Sequence, residues 1–169
     1  MTQESGRIWV MGGRPLNGTA AVPAAKNSVL PLLAAALLCR GTVRLRAVPA
    51  LSDVECCLAL LRGAGCDARR QGADVVVSGT PVCSTLPGDA AARMRASILF
   101  CAPLLARLGR AETSLPGGCP IGQRPIDLHL EGLGRMGAKE LDAGAGRLVL
   151  TAPGGLHGAD FPLRLPSVG

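Results

Sequence analysis

Apolar residues recur at helical spacing in some segments and alternate with polar residues in others, and these two patterns predict most of the elements. The first helix is predicted to start near residue 27, with Asn27 and Ser28 as its cap and an apolar body over 29–39. Pro31 fits this assignment because proline is tolerated in the first turn of a helix. Residues 42–48 alternate apolar and polar side chains, which predicts a half-exposed strand.

The later elements continue the alternation of helices with short strands. They are predicted as a helix over 54–62, a hairpin of 66–70 and 75–78, a helix over 91–108, a strand over 111–115, a helix over 125–136 and a hairpin of 138–142 and 147–151. Two further short strands are predicted over 7–22, around a turn rich in Gly, Pro and Asn. Helices that alternate with strands and cover short sheets indicate an α/β (α+β) fold.

The order of elements recurs along the chain, which indicates an internal duplication. Gly65 and Gly137 stand at equivalent places 72 residues apart, and Ser28 and Ser97 stand 69 residues apart. Two offsets that agree within a few residues favour one unit of βαβαββ type that is present twice. Each unit would lay its helices against a short sheet.

The composition favours a single core and a small anionic partner. With 169 residues the chain is long enough for one ordinary core, and its net charge of +6 attracts anions. Its arginines are scattered and only 2% of its residues are aromatic, so neither a basic stripe nor a base-stacking platform for nucleic acid is indicated. The apolar run 29–39 is too short to cross a bilayer, so no membrane segment is predicted.

The cysteines indicate a reducing compartment. There are seven, an odd number, and none forms a C-x-x-C motif. Residues 1–13 contain no apolar stretch of the signal-peptide type, so we expect unpaired thiols in the cytoplasm. With His129 and His157 as the only imidazoles, no metal site is predicted.

Segment 115–129 carries the most distinctive chemistry, because it places the thiol of Cys119 among glycines and five residues before Arg124. Dense glycine lets the backbone approach a ligand closely, whereas Cys39 and Cys101 stand in apolar runs typical of buried structural thiols. A cysteine beside an arginine can have its thiolate favoured next to a bound anion. One interpretation is therefore a reactive cysteine over an anionic substrate. The other is a Gly/Pro turn that happens to contain a cysteine.

Basic residues stand where several predicted helices begin, and helix starts favour anions. Lys26 stands at the start of the first helix, Arg95 at the start of its counterpart in the second unit, and Arg124 before the helix at 125–136. An arginine near a helix start opposes the helix dipole, and a bound phosphate or carboxylate would offset that cost. Each residue taken singly can be a solvated cation; together they favour a cationic pocket.

Four segments, in order along almost the whole chain, resemble the enolpyruvyl transferases. They are Ala-Lys-Asn-Ser-Val-Leu-Pro at 25–31, Arg-Met-Arg-Ala-Ser-Ile at 93–98, Ser-Leu-Pro-Gly-Gly-Cys-Pro-Ile-Gly-Gln-Arg-Pro-Ile-Asp-Leu-His at 114–129 and Ser-Val-Gly at 167–169. The resemblance implies repeated βαβαββ units of an inside-out barrel, here incomplete. It also implies transfer of the enolpyruvyl group from phosphoenolpyruvate to the 3′-hydroxyl of UDP-N-acetylglucosamine in peptidoglycan biosynthesis. That reaction releases phosphate and needs no metal or organic cofactor.

The resemblance also implies roles for residues of this chain. Cys119 would protonate the methylene carbon of phosphoenolpyruvate and would be the residue that fosfomycin alkylates. Lys26, Arg95 and Arg124 would surround the phosphate and carboxylate of phosphoenolpyruvate. The residues expected to contact the sugar nucleotide are Asn27, Arg95, Pro125, Ile126, Asp127, Leu128, Ser167, Val168 and Gly169.

The resemblance further implies a division of the chain. Residues 1–23 would be strands that pair with a second domain, and 24–169 would be the first domain, with repeat units at 24–88 and 89–152 and the start of a third segment. We expect the second domain, which supplies an aspartate and an arginine, to lie outside these residues, so that the chain alone is inactive. Two alternatives are a relative that acts on shikimate 3-phosphate, which the cysteine loop disfavours, and a non-catalytic remnant that binds a UDP-sugar.

Overall fold

Two three-stranded antiparallel sheets, with helices packed against them, make up most of the described part of the molecule. The computed structural model describes residues 9, 11–13, 15, 17–115, 126–141, 144 and 146–164. Each sheet belongs to one run of consecutive elements, and the two runs are called the first and second units below.

The first unit forms the first sheet. Its elements are α1 (Lys26–Ala35) with a 3₁₀ turn at Ala36–Leu38, β1 (Val43–Leu45), α2 (Ser52–Gly63), β2 (Asp67–Gln71) and β3 (Asp74–Ser78). The strands lie in the order β1-β3-β2, so the last strand of the unit occupies the centre. The β2–β3 hairpin turns at Gly72, whose φ of +60° is left-handed and therefore suits glycine.

The second unit repeats this arrangement. After a short helix α3 (Gly88–Ala92), its elements are a 3₁₀ helix (Arg95–Phe100) that continues into α4 (Cys101–Leu108), β4 (Arg110–Ser114), α5 (Asp127–Arg135), β5 (Lys139–Leu141) and β6 (Arg147–Thr151). The strand order is β4-β6-β5, again with the last strand in the centre. Backbone bonds from Leu86 N–H to the Glu112 carbonyl and from Glu112 N–H to the Ser84 carbonyl, both 2.8 Å, join the connecting segment to β4.

The equivalence of the two units extends to single residues. Gly65 and Gly137 both follow the second helix of their unit and have nearly the same left-handed φ, +97° and +102°. Ser28 is the third residue of α1, and Ser97 is the third residue of the 3₁₀ helix that starts at Arg95. The duplication that the sequence spacing predicts is therefore present in the fold.

The core is aliphatic and lies between the helices and the sheets. α1 packs against α2 and against the 3₁₀ helix, and α4 packs against β4. The largest side chains with essentially no exposure include Leu33, Leu37, Leu58, Leu61, Phe100 and Leu104. Full burial of one such side chain contributes about 1.5–3 kcal/mol, so a mostly aliphatic core suffices in a chain with only 2% aromatic residues.

The start of α1 differs from the prediction. The helix begins at Lys26 and its N-cap is Ala25, which offers no side-chain bond, so the predicted cap at Asn27 and Ser28 is wrong. Pro31 is the sixth residue of α1 and lies in its second turn, not its first. Because proline has no N–H, the carbonyl of Asn27 receives no helical hydrogen bond from it.

The single helix predicted over 91–108 is broken. α3 ends at Ala92, and Met94 is extended, with φ −144° and ψ 139°. This turn of the backbone keeps the Met94 side chain in the core at 2% exposure. Apolar residues therefore keep a helical spacing across the break, which is why the pattern does not reveal it. α4 ends at Gly109, where φ is +69°.

The two strands predicted over 7–22 are absent from the described residues there, which are 9, 11–13, 15 and 17–22. Most of these residues are strongly exposed; Trp9, Met11 and Val22 are 85–97% exposed. A strand is stabilised by backbone hydrogen bonds to a neighbouring strand, and without one its backbone groups bond to water. This is a physical reason why the predicted strands do not form in these residues. Pairing of residues 1–23 with a second domain stays a prediction.

Candidate functional site

Two of the predicted cations begin equivalent helices. Lys26 is the first residue of α1 and Arg95 is the first residue of the 3₁₀ helix that continues into α4. They are 69 positions apart, the same offset that separates Ser28 from Ser97. Since α1 packs against the 3₁₀ helix, the duplication places two cations on two neighbouring elements.

Lys26 is held by a carboxylate of the next helix. Its Nζ lies 2.6 Å from Oδ2 of Asp53, the second residue of α2. The side chain of Lys26 is 49% exposed and that of Asp53 is 25% exposed, so the ammonium is oriented but still accessible to solvent. The pair limits the directions in which the long lysine side chain can point.

Arg95 lies close to α5. Its side chain is partly buried, with the Nε atom inside the protein. Partial loss of water around the imidazole lowers the pKa of His129, and the positive charge of Arg95 lowers it further, while Asp127 acts in the opposite direction. Both charges are therefore near enough to His129 to influence it. The charge of Arg95 therefore lies within electrostatic reach of His129, in the first turn of α5.

The predicted sugar-nucleotide residues of α5 stand at its N-terminal end. Ile126 is the N-cap, Asp127 is the first residue and Leu128 follows it. A hydrogen bond and ion pair with Arg164 holds the pKa of Asp127 below its usual value, and the backbone N–H of Leu128 acts in the same direction. Asn27 is exposed in the first turn of α1. Lys26 forms its ion pair with Asp53 of α2 and not with Asp127 of α5.

Six predicted site residues lie outside the described residues: Cys119, Arg124, Pro125, Ser167, Val168 and Gly169. Their roles stay predictions. The described chain reaches Leu115, whose N–H bonds to the Gly146 carbonyl at 2.9 Å, and resumes at Ile126.

Among the described thiols, those of Cys57 and Cys101 are buried and stay protonated at neutral pH. Burial raises the pKa of Cys57 and of Cys101 to about 12 in each case, so neither is a thiolate at neutral pH. Cys39, expected in the interior, is exposed, because the helical segment ends at Leu38 and the chain turns outward there. Cys83 is exposed as well.

A pocket of about 210 Å³ lies beside the start of α1 but does not contain Lys26 or Asn27. It is lined by Ala24, Ala25, Ser28, Val29, Leu32, Arg44, Leu45, Arg46 and Val48. Six of these nine side chains are apolar, and the charged ones are Arg44 and Arg46.

The described residues also bear on metal and membrane binding. They contain no cluster of three or more His, Cys, Asp or Glu side chains suited to a metal ion. Within the same residues, every helix is too short or too polar to cross a bilayer.

Sequence reasoning missed Asp53 and Arg164. Asp53 could have been noticed as an acidic residue in the first turn of the helix that follows Lys26. An acidic residue there also stabilises the helix dipole, so this signal alone does not indicate an ion pair. Arg164 had no signal, because its contacts with α5 depend on how residues 156–164 fold back on that helix.

Comparison with known proteins shows which family the chain belongs to. The family model described as EPSP synthase (3-phosphoshikimate 1-carboxyvinyltransferase) matches residues 10–169. The chain therefore belongs to the enolpyruvyl transferase family, as the four segments indicated.

Curated relatives carry one recurring name. The protein named UDP-N-acetylglucosamine 1-carboxyvinyltransferase of Acidiphilium cryptum is 46% identical over 164 residues, and that of Rhodospirillum centenum is 43% identical over 175 residues. Each match covers 96% of this chain but only 39–40% of the relative. The chain thus spans about 40% of the length of these relatives.

Solved structures match the fold. The enolpyruvyl transferase NikO from Streptomyces tendae superposes with a TM-score of 0.70 at 26% identity, over 84% of this chain and 31% of NikO. An EPSP synthase from Acinetobacter baumannii superposes with a TM-score of 0.65 at 18% identity, over 89% of this chain and 35% of that protein. The described fold is therefore about a third of the enolpyruvyl transferase architecture.

Proposed function

We propose that this chain supplies part of an enzyme that transfers the enolpyruvyl group from phosphoenolpyruvate to the 3′-hydroxyl of UDP-N-acetylglucosamine and releases phosphate. The observation that carries the proposal is the placement of Lys26 and Arg95 at the first residues of equivalent, neighbouring elements. The names of relatives at 43–46% identity support this choice of acceptor. The reaction would serve peptidoglycan biosynthesis in the cytoplasm.

The cations account for binding of phosphoenolpyruvate. This substrate carries a phosphate and a carboxylate, and its charge is compensated by Lys26, Arg95 and Arg124 in the proposal. Positioned cations also stabilise charge that develops in the transition state, which is commonly the largest catalytic contribution. Asp53 holds the Lys26 ammonium in one direction, so less side-chain entropy is lost when the substrate binds.

Cys119 is the general acid in this proposal. In the addition step the sugar 3′-oxygen forms a bond to C2 of phosphoenolpyruvate, C3 takes the thiol proton and the hydroxyl proton passes to a base. In the elimination step C3 loses a proton and the phosphate leaves C2, which restores the double bond. A positioned acid of this kind contributes about 10²–10⁴-fold in rate.

The first turn of α5 supplies contacts to the sugar nucleotide. Ile126 and Leu128 offer half-buried apolar surface, and the exposed Asp127 offers an anionic acceptor for O–H or N–H groups. The charge of Arg95 acts on His129 of this turn, so in the proposal Arg95 meets the nucleotide as well as phosphoenolpyruvate. Asn27, Pro125, Ser167, Val168 and Gly169 complete the predicted contacts.

The experiment measures phosphate release by the complete gene product that carries residues 1–169, and by the 169-residue chain alone. Each is incubated with phosphoenolpyruvate and either UDP-N-acetylglucosamine or shikimate 3-phosphate. We expect release only with the UDP-sugar and only by the complete product. Release with shikimate 3-phosphate would favour the alternative acceptor. Binding of the UDP-sugar with no phosphate release would favour the non-catalytic alternative.

The chain offers a matched control for the cation, because Lys26 and Lys139 are its only lysines. Lys139 is exposed on β5. The variant Lys26→Ala should raise KM for phosphoenolpyruvate strongly, whereas Lys139→Ala should leave it unchanged. Equal effects of the two variants would contradict the assigned role of Lys26.

A further inference from the structure

Residues 156–164, called the α5 strap here, run back along α5 from its C-terminal end towards its N-terminal end. At one end the N–H of His157 donates a hydrogen bond to the Met136 carbonyl at 3.0 Å. In the middle, Phe161 covers Gly132 so closely that a Cβ on that glycine would lie 3.1 Å from Phe161 Cζ. The strap is therefore attached to α5 at two levels before it reaches the first turn.

At the first turn the strap ends in an ion-pair network. Arg164 Nη2 donates a hydrogen bond to Oδ2 of Asp127, and Arg164 Nε lies 3.4 Å from Oε2 of Glu131. Asp127 and Glu131 are four residues apart and share one face of the helix. A guanidinium is planar and has several N–H donors in a fixed geometry, so it can bridge two carboxylates in a way that lysine cannot.

We propose that Arg164 is a positioning residue that fixes the carboxylate of Asp127 in the orientation that receives the sugar nucleotide. The inference deepens the proposed function and rests on it. Asp127 is exposed at the first residue of its helix, and packing alone does not fix the side-chain rotamer of an exposed residue. The bond from Arg164 does fix it before the ligand arrives, which lowers the entropic cost of binding.

The network leaves Asp127 able to bind a ligand. A carboxylate has about four acceptor positions on its two oxygens. Arg164 uses one of them, on Oδ2. The remaining acceptor positions are available to an O–H or N–H group. Glu131 in turn restrains Arg164 from its other side, so the arginine is held by two negative charges.

The test uses the complete gene product and four variants: Arg164→Ala, Asp127→Asn, the double variant, and Arg135→Ala as a control from the last turn of the same helix. Calorimetry gives Kd for UDP-N-acetylglucosamine, steady-state kinetics give KM for phosphoenolpyruvate, and thermal unfolding gives Tm. We expect Arg164→Ala to raise this Kd about fivefold, the scale of one exposed ion pair. KM for phosphoenolpyruvate and Tm should stay close to those of Arg135→Ala.

The double variant separates positioning from direct contact. If Arg164 acts through Asp127, the double variant should bind the UDP-sugar no more weakly than Asp127→Asn alone. If the losses of UDP-sugar affinity in the two single variants add up in the double variant, Arg164 makes a contact of its own with the ligand. If Kd is unchanged in Arg164→Ala, Arg164 has no role in binding. Either result overturns the inference. A parent protein that neither binds the UDP-sugar nor releases phosphate would instead overturn the proposed function, and the inference with it.

Discussion

α2 and α5 occupy the same place in the two units, yet they differ in what they contribute. α2 buries five residues, namely Val54, Cys57, Leu58, Leu60 and Leu61. α5 buries only Leu133 among its nine residues, and both faces of its first turn are at least partly accessible. One copy of the duplicated helix therefore supports the core, whereas the other leaves side chains exposed at the place where the proposed function needs contacts to a ligand.

The difference shows how a repeated unit can separate stability from binding. α5 is held in place by the strap and by half-buried residues such as Ile126 and Leu130, which pack against the core, while Asp127 and His129 of its first turn stay exposed. α2 has no such freedom, because its apolar face fills the space beside α1 and α3. Substitutions in α2 should therefore reduce stability, and substitutions in the first turn of α5 should mainly reduce binding.

The largest expected effect on stability is at Leu61 of α2, which has no exposed surface. Leu61→Ala should lower the free energy of unfolding by about 3 kcal/mol, because it removes buried methyl groups and leaves a cavity. Leu130→Ala in α5, where the leucine is half-buried, should cost less than about 1.5 kcal/mol. Urea denaturation measures both, and equal losses would contradict the comparison.

A smaller effect is expected at a pair of helical glycines. A Cβ on Gly63, the last residue of α2, would lie 2.3 Å from Cγ of Pro87, a ring that cannot move aside easily. Gly63→Ala should therefore destabilise the protein by about 2 kcal/mol. A Cβ on Gly134 of α5 meets nothing within 4 Å, so Gly134→Ala should stabilise it by about 0.5 kcal/mol. If thermal unfolding shows that both variants change the stability in the same direction, α2 is not the more tightly packed helix.

The smallest effect is a change in the titration of His129. Its pKa lies below the ordinary 6.5 because the ring is partly desolvated and Arg95 is nearby. The folded protein thus disfavours the protonated ring, so stability declines as the pH falls below 6.5 towards the folded pKa. Arg95→Gln should raise the pKa towards 6.5 without reaching it, since desolvation persists. NMR titration of the imidazole measures this pKa. An unchanged midpoint in Arg95→Gln would show that the charge of Arg95 does not act on His129.

Much of the fold follows from local pattern in the sequence. The helix predicted over 54–62 is confirmed as α2, and the predicted hairpin partners 75–78 and 147–151 are confirmed as β3 and β6. The spacing of Gly65 and Gly137 revealed the duplication because both positions need a left-handed backbone, which glycine adopts readily. The break at Met94 escaped prediction, since burial of that side chain preserves the apolar spacing.

The positions of two predicted cations at helix starts are confirmed, while their roles in binding stay predictions. Lys26 and Arg95 could be identified in this way, because a cation at a helix start opposes the dipole and calls for an anion. The residues that pair with the predicted site residues could not be identified from the sequence. The contacts of Asp53 with Lys26 and of Arg164 with Asp127 join residues 27 and 37 positions apart, and no periodicity encodes such pairs.

The proposed role of the Cys119 thiol, as the acid that acts on phosphoenolpyruvate, is tested by comparing two cysteines. The kcat of Cys119→Ser is measured beside that of Cys101→Ser, whose thiol is buried and has a pKa of about 12. Each value is expressed per folded molecule of the complete gene product. We expect kcat to fall by about 10²–10⁴-fold in Cys119→Ser and by less than about threefold in Cys101→Ser. Equal losses in the two variants would contradict it.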